Sequence, residues 1–369
     1  MDWLPPDFGS VGQYAALFAR ELAAAGRQVH LIGLTSGTAA TESESYAPDG
    51  ELKITRIASS TYDKTSYLRR AIWLTNTNLA LMAAVLRDRR SCGGEIVFTG
   101  APPFMLFFAV AVKWLRGARL IYRITDFYPE VIIAELGRRS LPFVLLERLT
   151  WAVRRRVDLF ETLGEDQIGL LMAGGIPRQR IVLKRDGSPV PITGHEAALA
   201  RPDALRGHAV LLYSGNYGGA HDVDTVVEGL IRHHRAGGRF GLWLNATGVN
   251  VEHVERRLRL ADVPVARTRP VALAQLPSLL AAADLHLITL RRQFSGIVLP
   301  SKVYACIASR RPILFVGPQT SDVHRLCAAA TSSRYARIEP GDVDAFAAAL
   351  ACFAPAVVDD PAARTAVQE

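Results

Sequence analysis

Residues 284–317 read DLHLITLRRQFSGIVLPSKVYACIASRRPILFVG. Leu285–Leu290 is a short apolar run, the pattern of a strand buried on both faces of a parallel sheet. Pro300-Ser301 opens a helix, with Ser301 placed to cap its first free amides. Ile313–Val316 is the next buried strand. Arg291, Arg292 and Lys302 fall between the two strands, and Gly296 permits close backbone approach. A lysine in the first turn of a helix suits a diphosphate, because free N–H groups and the helix dipole both favour an anion. The plainer alternative is an ordinary βαβ connection with a solvated lysine.

The same alternation extends in both directions. Downstream, Asp342–Phe353 reads as a helix and Asp360–Val367 as the start of another. Upstream, Val210–Tyr213 and Phe240–Leu244 are further apolar strands. Before them, Lys184–Arg206 carries Gly187, Pro189, Pro191, Gly194 and Pro202 and reads as a linker. Earlier still, Gly9-Ser-Val-Gly12 precedes a helix running to about Ala25, and Gly26 ends it. Val29–Leu34, Ile96–Thr99 and Leu120–Ile124 are strands, with a helix from Pro102-Pro103 to Leu115. Repeated β and α units predict parallel sheets covered on both faces. Two such series across a linker predict an α/β protein of two Rossmann-like domains, with ligands at the carboxyl ends of the strands. The boundaries read as 1–190 and 207–350, with 351–369 as a tail.

Composition sets outer bounds. The 369 residues are 49% hydrophobic and 21% charged, enough for large cores and against global disorder. The net charge of +8 favours an anionic partner. Cys92, Cys306, Cys327 and Cys352 form no CxxC pair; Cys306 and Cys352 lie in apolar helical patterns and read as buried thiols of a reducing compartment. The longest apolar run, Phe104–Val112, is too short to span a bilayer. No nucleic-acid module surrounds the basic residues, so nucleic acid is not expected as a partner.

Four segments, in this order, resemble the family 4 glycosyltransferases of the GT-B fold, above all those of bacterial capsule, exopolysaccharide and O-antigen assembly. Pro5-Pro-Asp-Phe-Gly-Ser-Val-Gly-Gln-Tyr14 is similar to the family's N-terminal glycine loop. Thr125-Asp-Phe-Tyr-Pro-Glu130 is similar to its acid-aromatic segment at the cleft. Tyr213-Ser-Gly-Asn-Tyr-Gly-Gly219 resembles the first loop of its donor domain. Pro300-Ser-Lys-Val-Tyr304 resembles its donor-phosphate helix.

The resemblance implies two domains facing across a cleft, a nucleotide-sugar donor held by the second and an acceptor held by the first. The donor is expected to be UDP-linked, and the acceptor a lipid-linked or growing saccharide. No cofactor and no metal are expected, since helix termini and basic side chains neutralise the leaving diphosphate. Gly9, Gly12, Gly215, Asn216, His221, Arg291, Gly296, Pro300, Ser301 and Lys302 are the donor or phosphate candidates. Asp126 and Glu130 are the catalytic candidates, as base or orienting group for the acceptor hydroxyl. For Asp126 the alternative is a turn residue capping the next helix, and for His221 a solvated loop residue.

The chain also departs from the family. The loop Gly215-Asn-Tyr-Gly-Gly-Ala-His221 lacks the Arg and Lys that many relatives place there. No Glu occurs between Asp284 and Pro318. The first strand reads as shortened and the final cross-over helix as missing, as in an incomplete reading frame. Two other readings are a sugar-nucleotide epimerase of similar architecture, which would need clustered cleft acids and histidines, and a degenerate sugar-nucleotide-binding subunit. Asp222-Val-Asp224 and Asp342-Val-Asp344 match a metal-binding DxD pattern but sit at expected helix starts, where acids satisfy the dipole.

Location follows from charge. Arg138-Arg139, Arg148 and Arg154-Arg-Arg156 surround the apolar stretch Leu141–Val153. Mixed basic and apolar residues suit a helix lying on an anionic membrane surface. The alternative is a core helix with a solvated basic face. The expected location is cytoplasmic, peripheral at the inner face of the membrane.

Overall fold

The computed structural model describes residues 3–7, 9–60 and 66–354. The chain divides into two compact units: one runs to Pro189 and adds Phe294–Ser301, and the other holds Val190–Gln293 and resumes at Lys302. The expected helix at Asp360–Val367 lies outside the described residues.

In the first unit, α1 (Ser10–Ala24) precedes β1 (Gln28–Thr35), β2 (Ala40–Tyr46), β3 (Gly50–Ala58) and the long α2 (Tyr67–Arg87). Then come β4 (Glu95–Thr99), α3 (Met105–Arg116), β5 (Arg119–Ile124), α4 (Glu130–Leu136), α5 (Leu141–Arg154), β6 (Leu159–Thr162), α6 (Glu165–Ala173) and β7 (Ile181–Leu183). The strands form a sheet of order β1-β3-β2 and a parallel sheet of order β4-β5-β6-β7. Small residues let α1 lie close to its sheet: Ala15, Ala16, Ala19 and Ala23 pack on Leu31, Leu52 and Ile54. Gly12 lies inside α1, not before it, and a Cβ there would sit 1.7 Å from the Trp3 carbonyl oxygen. The third helix starts at Met105, later than Pro102-Pro103 implied, because Phe104 takes a left-handed conformation (φ 66°).

The second unit holds β8 (Ala209–Asn216), α7 (Asp224–Arg235), β9 (Phe240–Thr247), α8 (Val251–Leu260), β10 (Val265–Thr268), α9 (Leu276–Ala281) and β11 (Leu285–Thr289). It ends with α10 (Lys302–Ala308), β12 (Ile313–Val316), α11 (Asp322–Ala329), β13 (Tyr335–Ile338) and α12 (Val343–Phe353). All strands pair in parallel, in the order β10-β9-β8-β11-β12-β13. Leu211, Leu242, Leu287 and Leu314 pack with Val227, Leu230 and Phe346 on one face. Leu212 and Trp243 pack with Leu279 and Ala305 on the other. Burial on both faces is why these strands read as continuous apolar runs. Cys306 is buried as expected, but Cys352 is exposed: the register of α12 turns Phe346, Leu350 and Phe353 inward instead.

Candidate functional site

The sheet of the second unit reverses its order between β8 and β11. Strands β8, β9 and β10 proceed one way from that point, and β11, β12 and β13 the other. In an open parallel sheet the crevice at the carboxyl ends of the strands flanking such a switch point is where ligands bind. Residues at that crevice come from the end of β8, the loop after it, the end of β11 and the first residue of α10.

Lys302 dominates it. Its ammonium lies 3.2 Å from the centroid of the Tyr213 ring. The nitrogen is buried and has no hydrogen-bond partner among the described residues. Burial pulls its pKa from 10.5 down to about 7. A buried ammonium facing only a ring is incompletely compensated, since a cation–π contact replaces part of the lost hydration and none of the three donated hydrogen bonds.

The surroundings admit a ligand beside it. Gly215 has φ +119°, and a Cβ there would lie 3.6 Å from Lys302 Cε, so glycine keeps the backbone bare next to the lysine. The ring of Tyr213 stacks on Tyr217 at 4.1 Å, and His221 meets both rings edge-on. His221 Nδ1 lies 2.8 Å from the Thr289 carbonyl oxygen, at the end of β11. Burial and then the neighbouring Lys302 lower its pKa to about 3. The imidazole is therefore neutral at pH 7, donates from Nδ1 to Thr289, and presents Nε2 as an acceptor. His221 is thus a built part of the crevice and not a solvated loop residue.

Other candidates fall elsewhere. Arg291 donates from Nη1 to the Gly219 carbonyl at 3.0 Å, and its own N–H bonds the Ala220 carbonyl, so it braces the loop after β8. Arg292 pairs with Glu339 at 2.6 Å. Asn216 is exposed at the end of β8, and its carbonyl accepts from the Tyr213 hydroxyl at 2.8 Å. Gly9, Gly12, Gly296, Pro300 and Ser301 all belong to the first unit. Gly296, with φ +74°, makes its close approach to the Asp166 backbone at the start of α6. Gly9 is the N-cap of α1.

The first unit has its own small pocket, of about 70 Å³. Asp126 lines it, two residues past the end of β5 and bridged through its backbone to Val298. Arg123, Asp186, Thr99, Tyr14 and Ser301 line it too. Arg123 is fixed by Glu161 at 2.8 Å and Asp186 at 2.5 Å. Burial raises the Asp186 pKa, and Arg123 opposes that shift. Sequence reasoning missed this trio, whose members are 38 and 63 residues apart and carry no local motif.

Glu130 does not line the pocket. It is buried at the start of α4 and pairs with the fully buried Arg154: both carboxylate oxygens accept from that guanidinium, one of them at 2.8 Å. Its carboxylate oxygens both answer an internal cation. Both DxD pairs serve helix starts. Asp222 accepts from the Thr225 N–H at 3.0 Å and Asp342 from the Ala345 N–H at 3.0 Å. Asp224 and Asp344 pair with Arg257 and Arg232. Among the described residues, no three His, Cys, Asp or Glu side chains are grouped to hold a metal.

The architecture is GT-B, and solved structures share it. WaaG, a glycosyltransferase involved in lipopolysaccharide biosynthesis, aligns over 96% of this chain and 89% of its own, at 17% identity and TM-score 0.61. HepE of Anabaena, solved in complex with UDP and glucose, aligns over 95% and 88%, at 10% identity and TM-score 0.60. Sequence relatives point the same way. WbjE of Pseudomonas aeruginosa, named as a glycosyltransferase, is 24% identical over 259 residues, which is 67% of this chain and 63% of WbjE. The chain therefore matches less than two thirds of that relative's length. WcaI of Escherichia coli strain K12, named as a glycosyl transferase of colanic acid biosynthesis, is 22% identical over 367 residues, 94% of this chain and 88% of WcaI. No protein-family profile matches. The resemblance drawn from the four sequence segments is thus matched by glycosyltransferase relatives and by the GT-B fold.

Proposed function

We propose that this chain is a glycosyltransferase of the family 4 type. It moves a sugar from a nucleoside diphosphate donor, UDP-linked in this reading, to a lipid-linked or growing saccharide acceptor in cell-envelope polysaccharide synthesis. The observation that carries the reading is the buried, unpartnered ammonium of Lys302 at the switch point of the second unit. A diphosphate supplies the acceptor oxygens that this ammonium lacks, and charge-assisted bonds to phosphate are the strong ones.

In this mechanism Lys302 takes the charge that develops on the diphosphate as the glycosidic bond to it breaks. Neutral His221 accepts from a donor hydroxyl through Nε2. Asp126 orients the acceptor hydroxyl and removes its proton as the new bond forms. HepE, solved with UDP and glucose, supports a UDP-linked donor, and WcaI and WaaG, which act in colanic acid and lipopolysaccharide biosynthesis, support an envelope saccharide as product.

The reading extends to location. On α5, Leu141, Leu145 and Leu149 are exposed at 72%, 55% and 54%, one helical turn apart. Arg138, Arg148, Arg155 and Arg156 are exposed nearby in sequence. An exposed apolar stripe flanked by arginines suits an anionic membrane surface, which supports peripheral attachment at the cytoplasmic face. Among the described residues no helix is long and apolar enough to cross a membrane.

The test is a thermal-shift series with UDP, GDP, ADP and UDP-sugars, followed by a transfer assay with the stabilising donor. A ligand bound only by the folded state raises the midpoint. Stabilisation by a nucleoside diphosphate and sugar transfer to a lipid-linked saccharide are the expected results. Binding without turnover on any acceptor would instead make the chain a sugar-nucleotide-binding subunit.

A further inference from the structure

The first unit contains a cavity of about 340 Å³ that has no part in the chemistry above. Its walls are the edges of two sheets. β1 is the end strand of one sheet and β4 the end strand of the other, and both line the cavity. Leu31 and Ile32 come from β1, Ile96 and Phe98 from β4, Leu81 from α2 and Met105 from α3. Each edge strand turns alternate backbone N–H and C=O groups away from its paired neighbour, so both rows of unpaired groups border one slot.

Three observations define what fits. The free edge of β1 is already taken at one end: Trp3 bridges Leu34 in parallel, and the Leu4 N–H donates to the Leu34 carbonyl at 2.9 Å. Leu4 is buried there. That contact fixes the direction as parallel to β1. β4 has five residues, which sets the open length at about five residues of extended chain at roughly 3.3 Å each. The walls are mostly apolar, with residues of α2 and α3 among them, while Arg27, Gln28, His30, Asp88, Arg90 and Glu95 also line the slot, so most of the occupant's side chains must be apolar.

We propose that this slot is a strand-accepting site. It takes one extended, apolar peptide segment of about five residues, running parallel to β1 and into Trp3, and thereby joins the two sheets into one. Backbone pairing to both edges supplies affinity, and the apolar walls select β-branched or aliphatic side chains.

The experiment supplies such a segment at high local concentration. A six-residue Val/Ile-rich segment is joined directly ahead of Met1 of the full chain, with a Gly/Ser segment of equal length as control. A third fusion carries proline at the centre of the Val/Ile segment, which removes a ladder amide. Thermal midpoint, oligomeric state and hydrogen exchange at residues 28–33 and 95–99 are measured for all three. The expected result is a midpoint several degrees above the Gly/Ser control, with exchange slowed about tenfold or more in both strands, in a monomer. The proline fusion should lose that gain. Equal midpoints and exchange in all three fusions would overturn the proposal. So would protection of only one strand, or protection seen only in a dimer, where a second copy pairs edge to edge.

Discussion

Arg154 in the first unit and Lys302 in the second are both buried cations, and they are answered in opposite ways. The Arg154 guanidinium donates to both oxygens of Glu130 and to the Tyr128 carbonyl at 2.9 Å, and it lies between the rings of Trp151 and Phe127. Lys302 has a ring and, among the described residues, no hydrogen-bond acceptor. The first arrangement sets charge against charge inside the folded chain, with only the Arg154 Nε left without a hydrogen-bond partner among the described residues, and belongs to stability. The second is incomplete, and its pKa of about 7 measures how poorly the charge is accommodated. The buried cation with no counter-charge is the one at the crevice, and the buried cation paired with a carboxylate is the one in the scaffold.

The largest effect that would break this contrast concerns Glu130. Removing one partner of a buried pair costs about 3–5 kcal/mol. Glu130→Gln should therefore lower the denaturation midpoint steeply, whereas Lys302→Met should raise it, because an uncompensated buried charge is lost. Urea unfolding of both variants checks the pair of signs. A Glu130→Gln protein of full stability but no turnover would return Glu130 to the reacting centre.

The next largest effect tests Asp126, the acid that does line the pocket of the first unit. Asp126→Asn should keep donor binding and reduce turnover on the order of a hundredfold, the range of a positioned general base. Steady-state kinetics with unchanged donor affinity is the measurement. Full turnover would leave Asp126 a loop residue.

How far the sequence announced these roles depended on burial and separation. β8, β11 and β12 were legible as apolar runs because both of their faces are covered. β10, with Arg267 and Thr268, and β13, with Tyr335 and Arg337, were not: short edge-side strands mix polar and apolar residues. β2, ATESESY, is largely exposed and carries no apolar signal at all. Lys302 was legible from its place at a helix start. Arg123, Glu161 and Asp186 were not, since distant segments meet only in the folded sheet, and Asp186 lies in what reads as linker. Arg154 sits in a basic triplet that reads as surface, yet only Arg155 and Arg156 are exposed.

Proton linkage sharpens the reading of Lys302. Its folded pKa lies below the unfolded value, so between about 7 and 10.5 the unfolded chain binds more protons, and stability gains as pH rises through that window. A bound diphosphate reverses the shift by favouring the charged form. At pH 8 binding should therefore take up close to one proton, roughly 0.9 for a pKa moved from about 7 to its ordinary range. Calorimetry in buffers of different ionisation enthalpy reads this directly. Lys302→Ala should abolish the uptake and weaken diphosphate binding by about ten- to a hundredfold. Binding of wild type with no proton uptake would mean that the phosphates sit away from the lysine.

The smallest effect lies on α5, where the contrast appears within one helix. Arg154 is turned inward, so changing it tests folding and not attachment. Arg148, Arg155 and Arg156 are exposed, and each basic residue near an anionic surface adds about 1 kcal/mol. Replacing these three with glutamate should release the protein from vesicles containing acidic phospholipid while leaving its denaturation midpoint nearly unchanged. Replacing Leu141, Leu145 and Leu149 with serine should also release it, but through lost apolar contact, and with weaker dependence on salt. Co-sedimentation at low and high salt separates the two contributions. If neither triple variant changes pelleting, the stripe does not meet the membrane. If the arginine variant pellets less and also unfolds, those arginines belong with Arg154, among the residues that hold the first unit together.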